Sequence, residues 1–266
     1  MVCLKTAVKD IMEIKTTGRV LARFSCGAAS AVATKLAIDK YGDAVEIYYN
    51  DTGSENNDNV RFIADCEKWF GKKVNILKSE RFKDTWEVWE KRKYLVNKAG
   101  APCTGEMKMI PGDSVLRIGD IEIYGYTANE RHRVKKWQNH NRERIIECPL
   151  IEHHLTKDDC FGIIDGVGIE LPLMYRQGFR NNNCIACVKA RDSVNYWKRI
   201  RKYYPVEFNR MAELERKLNF EINRVSVKGK KTPIFLDQIP EGEPTGDDEV
   251  KVSCGLFCMA ETAKLK

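Results

Sequence analysis

A chain of 266 residues that is 43% hydrophobic and 31% charged can bury a substantial core, which excludes a low-complexity or disordered protein. Its net charge of +7, from 45 Lys and Arg against 38 Asp and Glu, suits an anionic partner, either a nucleotide or a nucleic acid. No run reaches the ~18 apolar residues of a membrane span, and the opening MVCLKTAVKDIMEI lacks a signal peptide's apolar core, so a cytoplasmic protein without a membrane partner is expected.

The first predicted element organises the rest. Val20, Leu21, Ala22 and Phe24 form an apolar run of strand length, and from Ala29 onward Ala, Val and Leu recur at helical spacing over 28–41. Between them, Ser25-Cys26-Gly27-Ala28-Ala29-Ser30 has no side chain larger than a thiol. Main-chain N–H groups there could approach a ligand, with the positive end of the helix behind them, which is the chemistry of a phosphate cradle. The same residues would also serve as a close-packing turn. No Gly-Lys-Ser/Thr follows and G-x-G-x-x-G is missing, so neither of those two phosphate loops is present.

Next come a strand at 44–49 ending in Asp51-Thr52-Gly53, a helix over 57–70, a strand over 73–78 and a helix over 84–94. A loop carrying Cys103 leads to a short helix ending near Ser114, then to a strand at 121–126, a charged segment at 129–143, a strand at 144–150 and a helix over 156–166. This alternation predicts an α/β fold, a doubly wound and mostly parallel sheet covered on both faces. Ligands of such sheets bind beyond the carboxyl ends of the strands, where loop 25–30, Asp51 to Gly53, and Gly125 onward with Glu130, Arg131 and Arg133 converge. From about residue 171 the character changes to a Cys-rich, mainly helical region, with helices near 190–203 and 206–219 and then a Gly/Pro-rich stretch. The division expected is therefore 1–170, a nucleotide-binding α/β domain, and 171–266, a Cys-rich C-terminal region.

Ten cysteines point to metal or redox chemistry in a reducing compartment. Cys3, Cys66, Cys148 and Cys160 stand alone in apolar contexts and read as buried structural thiols. Cys184-x2-Cys187 has the spacing of a metal knuckle, and Cys254-x3-Cys258 offers two more thiolates, so four cysteines can make one tetrahedral site for zinc or for an iron–sulfur cluster. The Asn181-Asn182-Asn183 run before the first pair fits a turn with left-handed backbone.

With SCGAAS at 25–30, DTG at 51–53, Cys103-x4-Lys108 with Pro111, Gly125 with Glu130 and Arg133, Pro149-Leu150, and Tyr175-x2-Gly178 leading into Cys184-x2-Cys187, the chain resembles the phosphoadenosine phosphosulfate (PAPS) reductase family of the PP-loop group. It looks particularly like the phage and bacterial subgroup with NNNC-x2-C and a terminal cysteine pair. The resemblance implies an oxidoreductase of sulfur metabolism in which an adenine nucleotide, PAPS or ATP, is bound by Ser25, Cys26, Gly27, Ala28 and Ser30. Asp51, Thr52 and Gly53 would lie near its ribose or adenine, with Gly125 alongside, and Lys108 and Arg133 would supply charge to the sulfate or phosphate. Related reductases end in Glu-Cys-Gly-x-His with a nucleophilic cysteine and take electrons from a thioredoxin-type reductant. Here Ser253-Cys254-Gly255-Leu256-Phe257-Cys258 makes Cys254 either a nucleophile or a metal ligand with Cys184, Cys187 and Cys258. Relatives imply a four-iron four-sulfur cluster at that site, zinc being the alternative. Position 29 is Ala where the PP-loop pyrophosphatases carry Asp, which weakens an ATP pyrophosphatase-type sulfurtransferase acting on nucleic acid through the RHRVKK run at 131–136. A nucleotide-binding protein that has lost catalysis is the third reading.

Overall fold

The computed structural model describes residues 18–97, 100–190, 193–227 and 229–245. Cys3, Cys254 and Cys258 lie outside the described residues. Strands β1 (Val20–Arg23), β2 (Val45–Asp51), β3 (Val74–Lys78), β4 (Ile121–Ile123) and β5 (Ile145–Glu147) form one all-parallel sheet in the order β3-β2-β1-β4-β5. The expected α/β fold is thus present. Central β1 sets Ala22 opposite Ile47 on one side and Ile123 on the other, and Val20, Leu21 and Ala22 are buried.

Helix α1 (Ala28–Tyr41) follows β1 directly, and Ala28, Ala31, Val32, Ala33, Leu36 and Ala37 are all buried, because it is a core helix covered on most sides. It packs against α2 (Asp58–Phe70) and against the helix Lys157–Gly166. The chain runs β1 to β2 to β3 and then returns past β1 to β4 and β5. Right-handed crossovers therefore set α1 and α2 on one face of the sheet, and the connections after β3 and β4 on the other. The reversal leaves a crevice between the carboxyl ends of β1 and β4.

Strands β4 and β5 stop short of the expected 121–126 and 144–150. After one more ladder bond, from Tyr124 N to Glu147 O at 3.0 Å, the chain leaves the sheet. Pro149, which has no N–H to give a ladder, opens the helical turn Pro149–Glu152 instead. Ion pairs tie the strands laterally. Glu122 on β4, with a side chain only 1% exposed, holds Arg23 of β1 at 2.6 Å and Arg144 ahead of β5 at 2.7 Å. Burial pushes this carboxyl up, but the Arg144 hydrogen bond and the two guanidinium charges outweigh it and keep Glu122 below the usual range.

Among the described residues two large hydrophobic cores and a small cluster of Phe82, Val88 and Met107 result. The first joins the sheet to α1, α2 and Phe161, Ile163 and Ile164. The second is built on Trp197, Ile200, Phe208, Met211 and Phe179, yet it also takes Trp86 and Trp89 from α3 (Thr85–Arg92), with Leu95, Val96 and Ala101. Packing therefore crosses the sequence position 170/171. The helices Val194–Tyr203 and Pro205–Leu218 fall close to where periodicity placed them, followed by an antiparallel hairpin, Asn223–Val227 with Lys230–Ile234, within the stretch read as Gly/Pro-rich. Cys66, Cys148 and Cys160 are buried, as their apolar contexts suggested.

Candidate functional site

A cleft of about 940 Å³ opens at the crevice between β1 and β4. Its inner end is the loop after β1. Ser30 Oγ sits at the centre of that loop. It accepts from Ser25 N (3.0 Å), Ser25 Oγ (3.1 Å) and Gly27 N (3.3 Å), and donates to Gly27 O (2.9 Å). The Tyr175 hydroxyl accepts from the N–H groups of Ala28 and Asn182. Two of the loop's N–H groups therefore rest on Ser30 and a third on a phenol oxygen, neutral oxygens that a phosphate can replace.

Small residues in this loop have specific causes. A Cβ on Gly27 would lie 2.9 Å from Tyr175 Oη, and one on Gly125 would lie 2.8 Å from Ser30 N, so glycine lets β4 pass against the start of α1. Cys26 carries its side chain in left-handed backbone, φ +57°, where glycine is the usual occupant. Its thiol turns away from the cleft, donating to Asn59 O at 3.6 Å, and burial raises its pKa. Ser25, Gly27, Ala29 and Ser30 line the cleft, whereas Cys26 and Ala28 do not.

The Asp51 to Gly53 turn is not among the residues that line the cleft. Asp51 Oδ1 accepts from Gly53 N at 2.8 Å and its other oxygen pairs with Lys78 at 3.1 Å. Thr52 is buried with Oγ1 3.1 Å from Cys184 Sγ, and a Cβ on Gly53 would meet Lys83 O at 2.3 Å. From the end of β2 it is the neighbours Asn50 and Glu55 that line the cleft, and the Asn50 Oδ1 acceptor is buried without a hydrogen-bond partner.

Lys108 extends from a π turn, Gly105–Met109, into the cleft. Cys184, Glu55, Cys187 and Cys103 are the groups within its electrostatic reach. The knuckle is held there by backbone: Ile185 N donates to Ser54 O (2.8 Å) and Cys187 N to Tyr196 Oη (2.7 Å). Its left-handed residue is Ala186, φ +57°, rather than one of the three asparagines. Asn182 instead pins the knuckle to the loop, its Nδ2 donating to Cys26 O (2.6 Å) and Asn59 Oδ1 (2.7 Å). Burial raises the thiol pKa of Cys184, which donates to Glu55 Oε1 at 3.5 Å, and burial likewise raises that of Cys103. Among the described residues no group of three or more His, Cys, Asp or Glu is placed to hold a metal ion.

Several cleft residues carry no sequence signal of their own. Lys157 donates to Asn181 Oδ1 and lies over the Tyr175 ring at 5.7 Å. Burial, and then the like charge of Arg180, pulls its pKa down to about 8. Lys157 and Arg180 both line the cleft with Ser25 and Ser30, so an anion there would meet two cations. Along another wall, Tyr124 and Tyr126 stack at 5.8 Å, Trp137 stands 5.6 Å from Tyr124, Arg133 lies over Tyr126 at 5.0 Å, and Arg144 over Trp137 at 5.2 Å. Arg133 also pairs with Glu130 three residues earlier. Chain order flags Glu130, Arg133 and the Asn181 run among these, whereas Lys157, Arg180, Tyr124, Tyr126, Trp137 and Arg144 depend on which side of a helix or turn faces the crevice.

Residues 19–190 match the model of the phosphoadenosine phosphosulfate reductase domain. An uncharacterized protein of Methanocaldococcus jannaschii is 24% identical over 216 residues, a match that covers 76% of this chain and 49% of that protein. The chain thus spans about half of that relative's length.

Proposed function

Because the chain belongs to the phosphoadenosine phosphosulfate reductase domain family, we propose that its cleft binds an adenine sulfonucleotide and that a cysteine thiolate attacks the sulfuryl sulfur. The observation that carries this reading is that one cleft is lined by both the 25–30 loop and Lys108, the latter among three cysteines. Phosphate oxygens would take over the loop N–H groups now on Ser30 and Tyr175, with Lys157 and Arg180 as counter-charges. Lys108 would neutralise the sulfuryl oxygens as charge builds on them.

The chemistry balances with two thiols. The thiolate sulfur bonds to the sulfuryl sulfur, the sulfur–oxygen bond to the nucleotide breaks, and adenosine bisphosphate leaves with the bond's electrons. A second thiol, of the protein or of a thioredoxin-type reductant, then attacks the cysteine sulfur, forming a disulfide and releasing sulfite. A thiol attacks only as its thiolate. Burial raises Cys26 and Cys103, so neither is the readily ionised thiol this step needs, and in this reading Cys254 is the nucleophile.

Cys184 and Cys187 suit a metal by donor chemistry: two soft ligands on one turn, with Lys108 beside them to offset thiolate charge. In the other reading of Cys254, as a ligand rather than the nucleophile, it and Cys258 would complete a four-iron four-sulfur cluster with them, zinc being the other four-thiolate choice. When bound, such a centre supplies folding energy and local charge. Metal analysis of Cys187→Ser against the parent chain checks this, with loss of bound metal expected. For the reaction, incubation of metal-replete protein with PAPS and reduced thioredoxin should release sulfite, and Lys108→Ala should lower the turnover at least tenfold. Absence of sulfite from a preparation that binds adenosine bisphosphate would overturn the reductase reading.

A further inference from the structure

The helix Arg131–His140 has no fully buried residue, so apolar burial does not explain its place in the fold. It runs RHRVKKWQNH, and among the described residues Arg131, Lys135 and Lys136 are exposed with no carboxylate partner. Its inward side is different. Glu130, Arg133, Trp137 and, past its end, Asn141 recur at three- and four-residue spacing and line the cleft. Trp137 meets Tyr124 there, which stacks on Tyr126.

A solvated helix face accounts for the lysines but not for Trp137 of this helix meeting Tyr124 and Tyr126 from the segment after β4 on the cleft wall. Aromatic rings at the cleft and exposed cations on the outer sides of the same helix are what unpaired bases and their phosphates require: the rings stack on bases, and the cations follow the backbone around the helix. A duplex keeps its bases stacked on one another and cannot use the rings. The cleft has room as well. Its volume of about 940 Å³ lies near the top of the ~300–1,000 Å³ range of small-ligand sites.

We propose that the helix Arg131–His140 and the Tyr124–Tyr126–Trp137 shelf form a landing site for single-stranded nucleic acid, with phosphates on Arg131, Lys135 and Lys136 and a base against the rings. It goes beyond the sulfonucleotide reading, and it rests on that reading only in leaving the loop end of the cleft to a nucleotide.

The test is fluorescence anisotropy with labelled 12-nucleotide single strands of DNA and of RNA, and a duplex of the same sequence, at 50 and 200 mM salt. Binding should favour a single strand over the duplex and weaken with salt. Trp137→Ala should lower strand affinity about tenfold or more with the salt slope unchanged, and Trp137→Phe should restore most of it. The exposed pair K135E/K136E should weaken binding and flatten the salt slope while leaving adenosine bisphosphate affinity unchanged. Equal binding of duplex and single strand, or indifference to Trp137→Ala in folded protein, would reduce the site to bulk charge and overturn the proposal. So would failure to bind either strand, or docking of reduced thioredoxin on this helix instead. Parallel titration with adenosine bisphosphate separates the two readings. A strand bound without the nucleotide sinks the sulfonucleotide site alone, and the nucleotide bound without a strand sinks this proposal alone.

Discussion

Lys157 gives the cleft a pH signature. Free, it loses its proton near pH 8, earlier than an ordinary lysine, because it is buried beside Arg180. A bound phosphate favours the charged form and raises that pKa, so binding takes up a proton once the pH exceeds about 8. Affinity for adenosine bisphosphate should therefore be flat below pH 8 and fall above it. Isothermal titration at pH 7 and pH 9 checks this. Lys157→Met should bind more weakly at pH 7 and lose the pH dependence; a wild-type affinity equal at both pH values would place the phosphate away from Lys157. Gly27 is a second residue with a definite expectation. Gly27→Ala must displace Tyr175 Oη, which its Cβ would approach at 2.9 Å, and so disturbs the oxygen that holds the Ala28 N–H. A destabilisation of about 1–3 kcal/mol is expected by urea unfolding. Tyr175→Phe in the same background should recover part of it.

Among the elements, the β1–β4 pairing depends on Glu122. Its removal leaves the half-buried Arg23 without this acid and Arg144 with Asp113 alone, at 3.1 Å, and Glu122→Ala should cost about 3 kcal/mol in urea unfolding. The helix Pro205–Leu218 carries a buried acid of the opposite kind. Glu215 accepts from Ile222 N (2.5 Å) and Leu236 N (2.7 Å), yet burial pushes its pKa up to about 7. Between its unfolded pKa, about 4.5, and 7 the folded chain keeps a proton that the unfolded chain has released. Stability from this group is thus full below about pH 4.5 and declines as the pH rises to 7, by about 3 kcal/mol in all. Glu215→Gln should flatten the stability profile over that interval, as read by thermal unfolding at pH 5 and pH 7.

Elements were legible wherever burial imposed a period. Helix α1 and strand β2 stand in the chain as an apolar helix and a β-branched and aromatic run. The hairpin Asn223–Val227 with Lys230–Ile234 was not legible, because Lys230, Lys231 and Pro233 give it no apolar face to read. The site divides the same way. Loop 25–30 shows in its small residues, and Lys108 and Arg133 through family motifs. Lys157 and Trp137, by contrast, sit in charged text that reads as surface until the fold turns one side of each helix toward the crevice.

At the scale of the whole molecule, the two cores are interlocked. Helix α3 belongs by sequence to the sheet's half, yet Trp86 and Trp89 are buried among Trp197, Phe179 and Met211. Asn182 adds a polar tie, since its two hydrogen bonds reach Cys26 and Asn59 on the sheet side. Substituting Asn182 by Ala leaves the Cys26 carbonyl without this donor. That should loosen the loop and the knuckle together, weakening nucleotide affinity and metal retention in parallel when both are measured on one preparation.

The shared tryptophans also decide how the protein can be cut. Residues 19–190 match one family model, yet the core they share with Trp197, Ile200, Phe208 and Met211 predicts that they do not fold alone. A gene trimmed to that segment loses Trp197, Ile200, Phe208 and Met211, and leaves Trp86, Trp89, Met174 and Phe179 facing water as one apolar patch. Such a fragment should be recovered in inclusion bodies, and its solubility should return only when the segment through the helix Pro205–Leu218 is supplied, in the same polypeptide or co-expressed.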